Sequence, residues 1–242
     1  MDLDHLEVTG DSQRDWYRTI VSRRVAVDIF AGLTEDPADQ GILIAHEIAT
    51  KPFQLEDPVL NRVFEEAEVF DPIAEAIRWP FEHPCRSRFS LGAFGVWYGA
   101  DSLLTSIHET VHHFRVDTLA SSAVAPGSTV IQERRTHLIR CTAALIDLRP
   151  RLADEPRLLD PNDYSACQAL GLQIFRAALP GVLSRSVRFP EGLIAGVFRR
   201  DTLTDPRMVC YLTYHLDVDS GQVRVEREPG QTLMEIRALQ GW

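Results

Sequence analysis

Apolar positions change their spacing several times along the chain, and the changes separate strand-like from helix-like stretches. Residues 16–21, Trp-Tyr-Arg-Thr-Ile-Val, mix aromatic and β-branched side chains and predict a strand. Residues 37–50 predict a helix with a proline in its first turn. Residues 57–79 predict two short acidic helices split at Asp71-Pro72. A loop over 83–93 leads into a strand at 94–100, where alternation sets Phe94, Val96 and Tyr98 on one face and Trp97 on the other. From Ser102 to Arg115 the spacing turns helical, with Leu103, Leu104, Ile107, Val111 and Phe114 inside one arc of about 100°. Residues 129–148 alternate like strands, and Asn162 or Asp163 caps a helix running to about Leu179. Further strands are predicted at 182–187, 193–199, 209–217 and 222–226, the last two joined at Asp219-Ser220-Gly221. Strands gather at both ends of the chain instead of alternating with helices. That predicts an α+β fold, a single domain over residues 1–242 with a mixed or antiparallel sheet flanked by helices.

Composition narrows the class. The 242 residues are 45% hydrophobic and 25% charged, enough apolar surface for a core and far from a disordered composition. No apolar run approaches the roughly 18 residues of a bilayer span, so no membrane association is expected. The first residues are acidic and lack the apolar segment of a secretory signal. Asp and Glu outnumber Lys and Arg by 35 to 25, a net charge of −10, and residues 1–120 carry 21 acids against 10 bases. Such a surface repels a phosphate backbone, which argues against direct nucleic-acid binding. Cys85, Cys141, Cys167 and Cys210 form no CxxC pair, as expected of reduced thiols in a cytoplasmic protein.

One string has metal-site spacing. His108-Glu109-Thr110-Val111-His112 is an HExxH on a predicted helix, the pattern in which two histidines bind zinc and the glutamate acts as base of a metallopeptidase. The two histidines lie about 40° apart in helical phase, outside the apolar stripe. A third ligand is lacking: Arg115 and Thr118 stand where the extended pattern has glycine and histidine, and Glu133 sits in a predicted strand. Glu109 by itself lies about 190° from the stripe's centre, so it meets either a cleft or solvent.

Two more segments carry candidate chemistry. Arg18 interrupts an otherwise apolar strand, where a guanidinium either points to water from a strand edge or meets an anion. Ser165 stands in the first turn of a predicted helix, where it either caps the helix or helps bind an anion at the positive end of the dipole.

The order Tyr17-Arg18, Arg88-Phe89-Ser90, Val96 to Ser102, Glu109, Tyr164 to Gly171, and Ser186-Val187-Arg188 resembles the RES domain family over about residues 16–200. That family is named for an Arg, a Glu and a Ser, which the resemblance matches to Arg18, Glu109 and Ser165. It implies a fold similar to ADP-ribosylating toxins and an enzyme that consumes NAD. The enzyme would be an NAD phosphorylase or NAD glycohydrolase, hence a transferase or a hydrolase, with mono-ADP-ribosyltransferase as an alternative. It also implies the toxin of a bacterial toxin–antitoxin pair, with an Xre-type helix-turn-helix antitoxin as partner, and it makes the HExxH coincidental. An acidic helical insertion over about residues 35–82 departs from compact members and could serve the site, a partner or a homodimer.

Cleaving the nicotinamide–ribose bond builds positive charge on the sugar, which a carboxylate stabilises. Glu109 suits that role. Arg18 suits the pyrophosphate, with Arg88 as a second candidate, because a planar fork holds it with paired charge-assisted bonds. Tyr98 suits the flat, cationic nicotinamide ring, with Tyr17 in reserve. Ser165 would bond ribose or phosphate. No metal or cofactor is implied; NAD is the substrate and inorganic phosphate a candidate co-substrate. A zinc peptidase using His108, Glu109 and His112, and a non-enzymatic module whose acidic half binds a basic partner, are the competing readings.

Overall fold

Two long antiparallel strands, Thr129–Cys141 and Leu203–Asp217, form the spine of the computed structural model, which describes residues 7–22 and 72–237. The chain divides into two units, Met1–Ser22 with Pro72–Trp242, and Arg23–Asp71; all described residues belong to the first. The predicted helix at 37–50 and most of the acidic stretch fall outside the described residues.

In chain order the strands are β1 (Val8–Thr9), β2 (Asp15–Val21), β3 (Arg86–Ser87), β4 (Ser90–Leu91), β5 (Trp97–Ala100) and β6 (Thr129–Cys141). They continue as β7 (Leu145–Asp147), β8 (Gly181–Arg185), β9 (Leu193–Val197), β10 (Leu203–Asp217), β11 (Val223–Glu228) and β12 (Gln231–Ile236). The described helices are α1 (Pro72–Glu82), α2 (Leu103–Leu119) and α3 (Ser165–Arg176). Among the described residues ten strands make one sheet, ordered β1-β7-β8-β9-β5-β2-β6-β10-β11-β12, and β3-β4 make a small ribbon. Among the described strands only β7 and β8 pair in parallel, so the sheet is mixed and the fold α+β. Among the described residues no helix is long and apolar enough to cross a membrane.

The helices occupy both faces. Ala76 and Ile77 of α1 pack with Trp16, Trp97, Ile139 and Val197. On the other face Ile107, Val111 and Phe114 of α2 pack with Leu212, Tyr214 and Val225. Leu170 and Ile174 of α3 pack there with Val96, Ile146 and Val182. The alternation read for β5 is thus observed: Trp97 faces α1, while Val96 and Tyr98 face α3. Leu104, counted in the helical stripe, is instead exposed, and the polar Thr105 and Ser106 are buried beside Ile107.

Local chemistry sets the helix ends. The Ser102 hydroxyl accepts from Thr105 N–H at 3.1 Å, a capping bond that starts α2 where the sequence placed it. The Asp163 carboxylate accepts from Ser165 N–H at 2.9 Å just ahead of α3. Near the start of β10, Asp205 takes a left-handed φ of 49° before Pro206, and the β6 register shifts there.

Gly171 lets α3 approach the segment that carries Arg88. A Cβ at Gly171 would stand 2.0 Å from the Phe89 carbonyl oxygen. In an open helix Gly→Ala gains about 1 kcal/mol. Here Gly171→Ala should instead lose about 1–3 kcal/mol through overpacking, measured by urea unfolding. A stabilised variant would contradict this packing.

Candidate active site

The ten-stranded sheet is two half-sheets joined where β2 meets β5, and that junction is a single residue pair, Tyr17 opposite Ala100. Continuing the register would set Thr19 opposite Tyr98. Instead the strands part, and the Tyr98 carbonyl accepts a hydrogen bond from Arg18 Nη1 at 2.9 Å. The fork opens into a cavity of about 430 Å³, within the size range of small-molecule sites. Of the residues singled out from sequence, Tyr17, Arg18, Arg88, Tyr98 and Glu109 all line it.

Arg18 is the cation of the fork. Its guanidinium lies 5.5 Å from the Trp97 ring centroid, and its Nε is buried without a hydrogen-bond partner among the described residues. Burial lowers its pKa to about 10, which leaves it charged at neutral pH. A buried cation with unused donors suits an anion as its counter-charge. Beneath it Ser106 Oγ donates to Thr19 Oγ1 at 2.8 Å, and Thr19 and Thr136 share a bond of 2.9 Å, tying α2 to both strands.

Tyr98 is a pinned wall. Its hydroxyl accepts from Phe89 N–H at 3.1 Å and donates to Ser87 at 3.0 Å, and burial raises the phenol pKa. Arg88 is held by the Asp160 carbonyl at 2.9 Å and lies 4.3 Å from the Tyr164 ring centroid, a cation–π contact at the cavity wall.

Glu109 faces the cavity from α2. Its Oε1 accepts from Ser186 Oγ at 2.5 Å. Ser186 is buried just beyond β8, and its oxygen accepts from the N–H groups of Arg188 at 3.2 Å and Phe189 at 2.9 Å. With its lone pairs so occupied, the serine turns its proton to the carboxylate and fixes its orientation. At the next position, Thr110 Oγ1 back-bonds to the Ser106 carbonyl at 2.8 Å and meets the Tyr214 hydroxyl at 2.9 Å.

Ser165 lies elsewhere. It is exposed at the start of α3, donates its hydroxyl to Asp163 Oδ2 at 3.0 Å and does not line the cavity. The serine that meets Glu109 is Ser186, in the Ser186-Val187-Arg188 string. The cavity also takes in His113, Ser184, Arg185, Trp79 of α1 and His83 just after it, which sequence reasoning did not single out. The HExxH histidines make ring contacts: His108 stacks on Phe189 at 4.9 Å, and His112 meets His113 edge-on at 5.4 Å. Among the described residues no group of three or more His, Cys, Asp or Glu is arranged to hold a metal ion.

A family model described as the RES domain matches residues 60–217 of this chain. No curated protein matches it. Among solved structures, a chain in the crystal structure of the M.tuberculosis MbcT-MbcA toxin-antitoxin complex is 18% identical. That match covers 60% of this chain and 77% of that one, with a TM-score of 0.38.

His137 sits opposite Arg18 across β2 and β6, 1% exposed, with neither ring nitrogen hydrogen-bonded among the described residues. Burial, then the charges of Arg135 and Arg18, lowers its pKa to about 4. The unfolded value is about 6.5, so between those pH values the unfolded chain binds more protons. This contribution to stability is complete above pH ~6.5 and lost as pH falls towards about 4. Urea titrations at pH 7 and 4.5 should show the fall, and His137→Leu should reduce it, with His108, His112 and His113, also held below their ordinary pKa by burial, supplying the rest. An unchanged slope in the variant would remove His137 as its source.

Proposed function

This chain belongs to the RES domain family, and on that premise we propose that it consumes NAD by cleaving the nicotinamide–ribose bond, acting as the toxin of a toxin–antitoxin pair. One observation carries the proposal. In the fork between β2 and β5, an arginine with an unused buried donor and a carboxylate oriented by a buried serine line one cavity. That pairing matches the two charges of the reaction: the fixed anion of a pyrophosphate and the cation that develops on the ribose.

The chemistry runs from the residues. Arg18 grips the pyrophosphate as a planar fork and fixes the dinucleotide's position. Glu109 stabilises the oxocarbenium-like ribose as nicotinamide departs with the bonding pair. Ser186 holds the carboxylate at one orientation, so little reorganisation remains for the moment of reaction. Tyr98 offers a wall for the leaving ring, and Arg88 a second anchor for phosphate. The acceptor on the ribose carbon is phosphate in phosphorolysis, water in hydrolysis, or a protein side chain in ADP-ribosyl transfer. The family's toxin–antitoxin membership motivates an Xre-type antitoxin as the restraining partner.

Incubation with NAD, with and without inorganic phosphate, tests the proposal, with products resolved by mass. Free nicotinamide with ADP-ribose 1″-phosphate identifies phosphorolysis; nicotinamide with ADP-ribose identifies hydrolysis. Unaltered NAD under all conditions would contradict the function. Glu109→Gln should abolish turnover and leave NAD affinity within a few-fold, since only the transition state needs the charge; near-normal turnover would remove Glu109 from the mechanism. Arg18→Lys should weaken NAD binding by about 10- to 100-fold, or roughly 1.5–3 kcal/mol, because an ammonium cannot replace the fork. Intact affinity with a lowered melting temperature would reassign Arg18 to structure.

A further inference from the structure

One row of side chains crosses the cavity from the fork to its far wall. Tyr17 of β2 pairs with Ala100 of β5, Ala100 with Ile194 of β9, and Ile194 with Ser184 of β8. Residues paired in this way point to the same face of a sheet, and all four line the cavity. Tyr98, two residues before Ala100 on β5, stands on that face in the neighbouring row. Between its two hydroxyl ends the row is therefore apolar, with Ala100 and Ile194 beside an aromatic wall. That is a bed for a flat ring.

Most hydroxyls around the cavity are committed. Ser106 donates to Thr19, Thr110 meets Tyr214, Tyr98 is held by Phe89 and Ser87, and Tyr164 accepts from Arg188. Ser184 differs. It is 4% exposed, and its hydroxyl has no hydrogen-bond partner among the described residues. A buried hydroxyl left in that state costs stability unless a group in the cavity bonds it.

The position of Ser184 in the chain says which end of a ligand reaches it. Ser186, two residues further on, donates to Glu109, and its own N–H donates to the Gly192 carbonyl at 2.9 Å, which extends the β8–β9 pairing to it. Two residues of extended strand set Ser184 about 7 Å from Ser186 on the same face. The free hydroxyl thus lies roughly one ring's length beyond the serine that holds the carboxylate.

We propose that Ser184 sets leaving-group specificity: its hydroxyl bonds the carboxamide of nicotinamide while the ring lies on Ala100 and Ile194 beside Tyr98. This rests on the NAD reading above. The pyridine ring carries the scissile bond at its nitrogen and the carboxamide two ring atoms away, so a ribose held at Glu109 leaves the carboxamide to reach along β8. Apolar walls with one placed polar group are the usual means by which a small-ligand site fixes orientation.

The test is steady-state NAD consumption with three competitors: nicotinamide, AMP, and the dinucleotide that carries unsubstituted pyridine in place of nicotinamide. Ser184→Ala should raise KM for NAD and the inhibition constant of nicotinamide by about 3- to 10-fold, the loss of one neutral hydrogen bond. It should leave kcat within about twofold, because the bond is made before and during cleavage alike. The inhibition constants of AMP and of the pyridine dinucleotide, which have no carboxamide, should stay unchanged, as a merely structural role for Ser184 would not allow. An unchanged KM for NAD, or an equal rise for the pyridine dinucleotide, would overturn the proposal and leave the NAD reading standing. Failure of the unmodified protein to consume NAD would overturn that reading, and this inference with it.

Discussion

The parting of β2 from β5 after a single pair is the constraint on which the site depends. Two half-sheets that could have closed into one continuous ladder are held apart, and the backbone carbonyl released at Tyr98 has to find a donor. Arg18 supplies it from the very strand that turns away. A charge-assisted bond thus replaces a ladder bond, and the same guanidinium keeps a buried Nε in hand for something else. The core on the α1 face bridges both halves through Trp16, Ile139, Trp97 and Val197, which keeps the fork from spreading.

Around the fork, precision comes from short polar links anchored in apolar packing. α2 is set by its Ser102 cap, by Ile107, Val111 and Phe114 against β10 and β11, and by Thr110 on Tyr214. Glu109 then needs one more restraint, and Ser186 provides it from the turn after β8. The arrangement carries a cost in stability: a buried arginine donor without a partner, and a buried neutral imidazole at His137 directly opposite it. Unsatisfied buried groups of this kind are what a site that awaits an anion would retain.

Much of this was legible in the chain, because the signals were local. The strand at 16–21, the helix from Ser102, the alternation in β5 and the helical phase of Glu109 depend on neighbours within a few residues. What escaped depends on distance in sequence. The two-residue strands β1, β3 and β4 are too short to show a period, and β12 reads as a polar tail because most of its positions are exposed. Ser165 drew attention by its helix-start position, a local signal satisfied by Asp163 two residues away. Ser186 meets a partner 77 residues distant, which no local pattern encodes. The HExxH string shows the converse: its histidines have the right phase on α2, and each has a ring contact, His108 on Phe189 and His112 on His113.

The central claim is that one dinucleotide runs through the fork, with its scissile bond beside Glu109. A crystal structure of the Glu109→Gln protein bound to intact NAD tests it most directly. The account predicts nicotinamide ribose against residue 109, pyrophosphate on Arg18, and β2 and β5 still joined only at Tyr17 and Ala100. NAD bound outside the fork, or a fork closed by further pairing of β2 with β5, would contradict it.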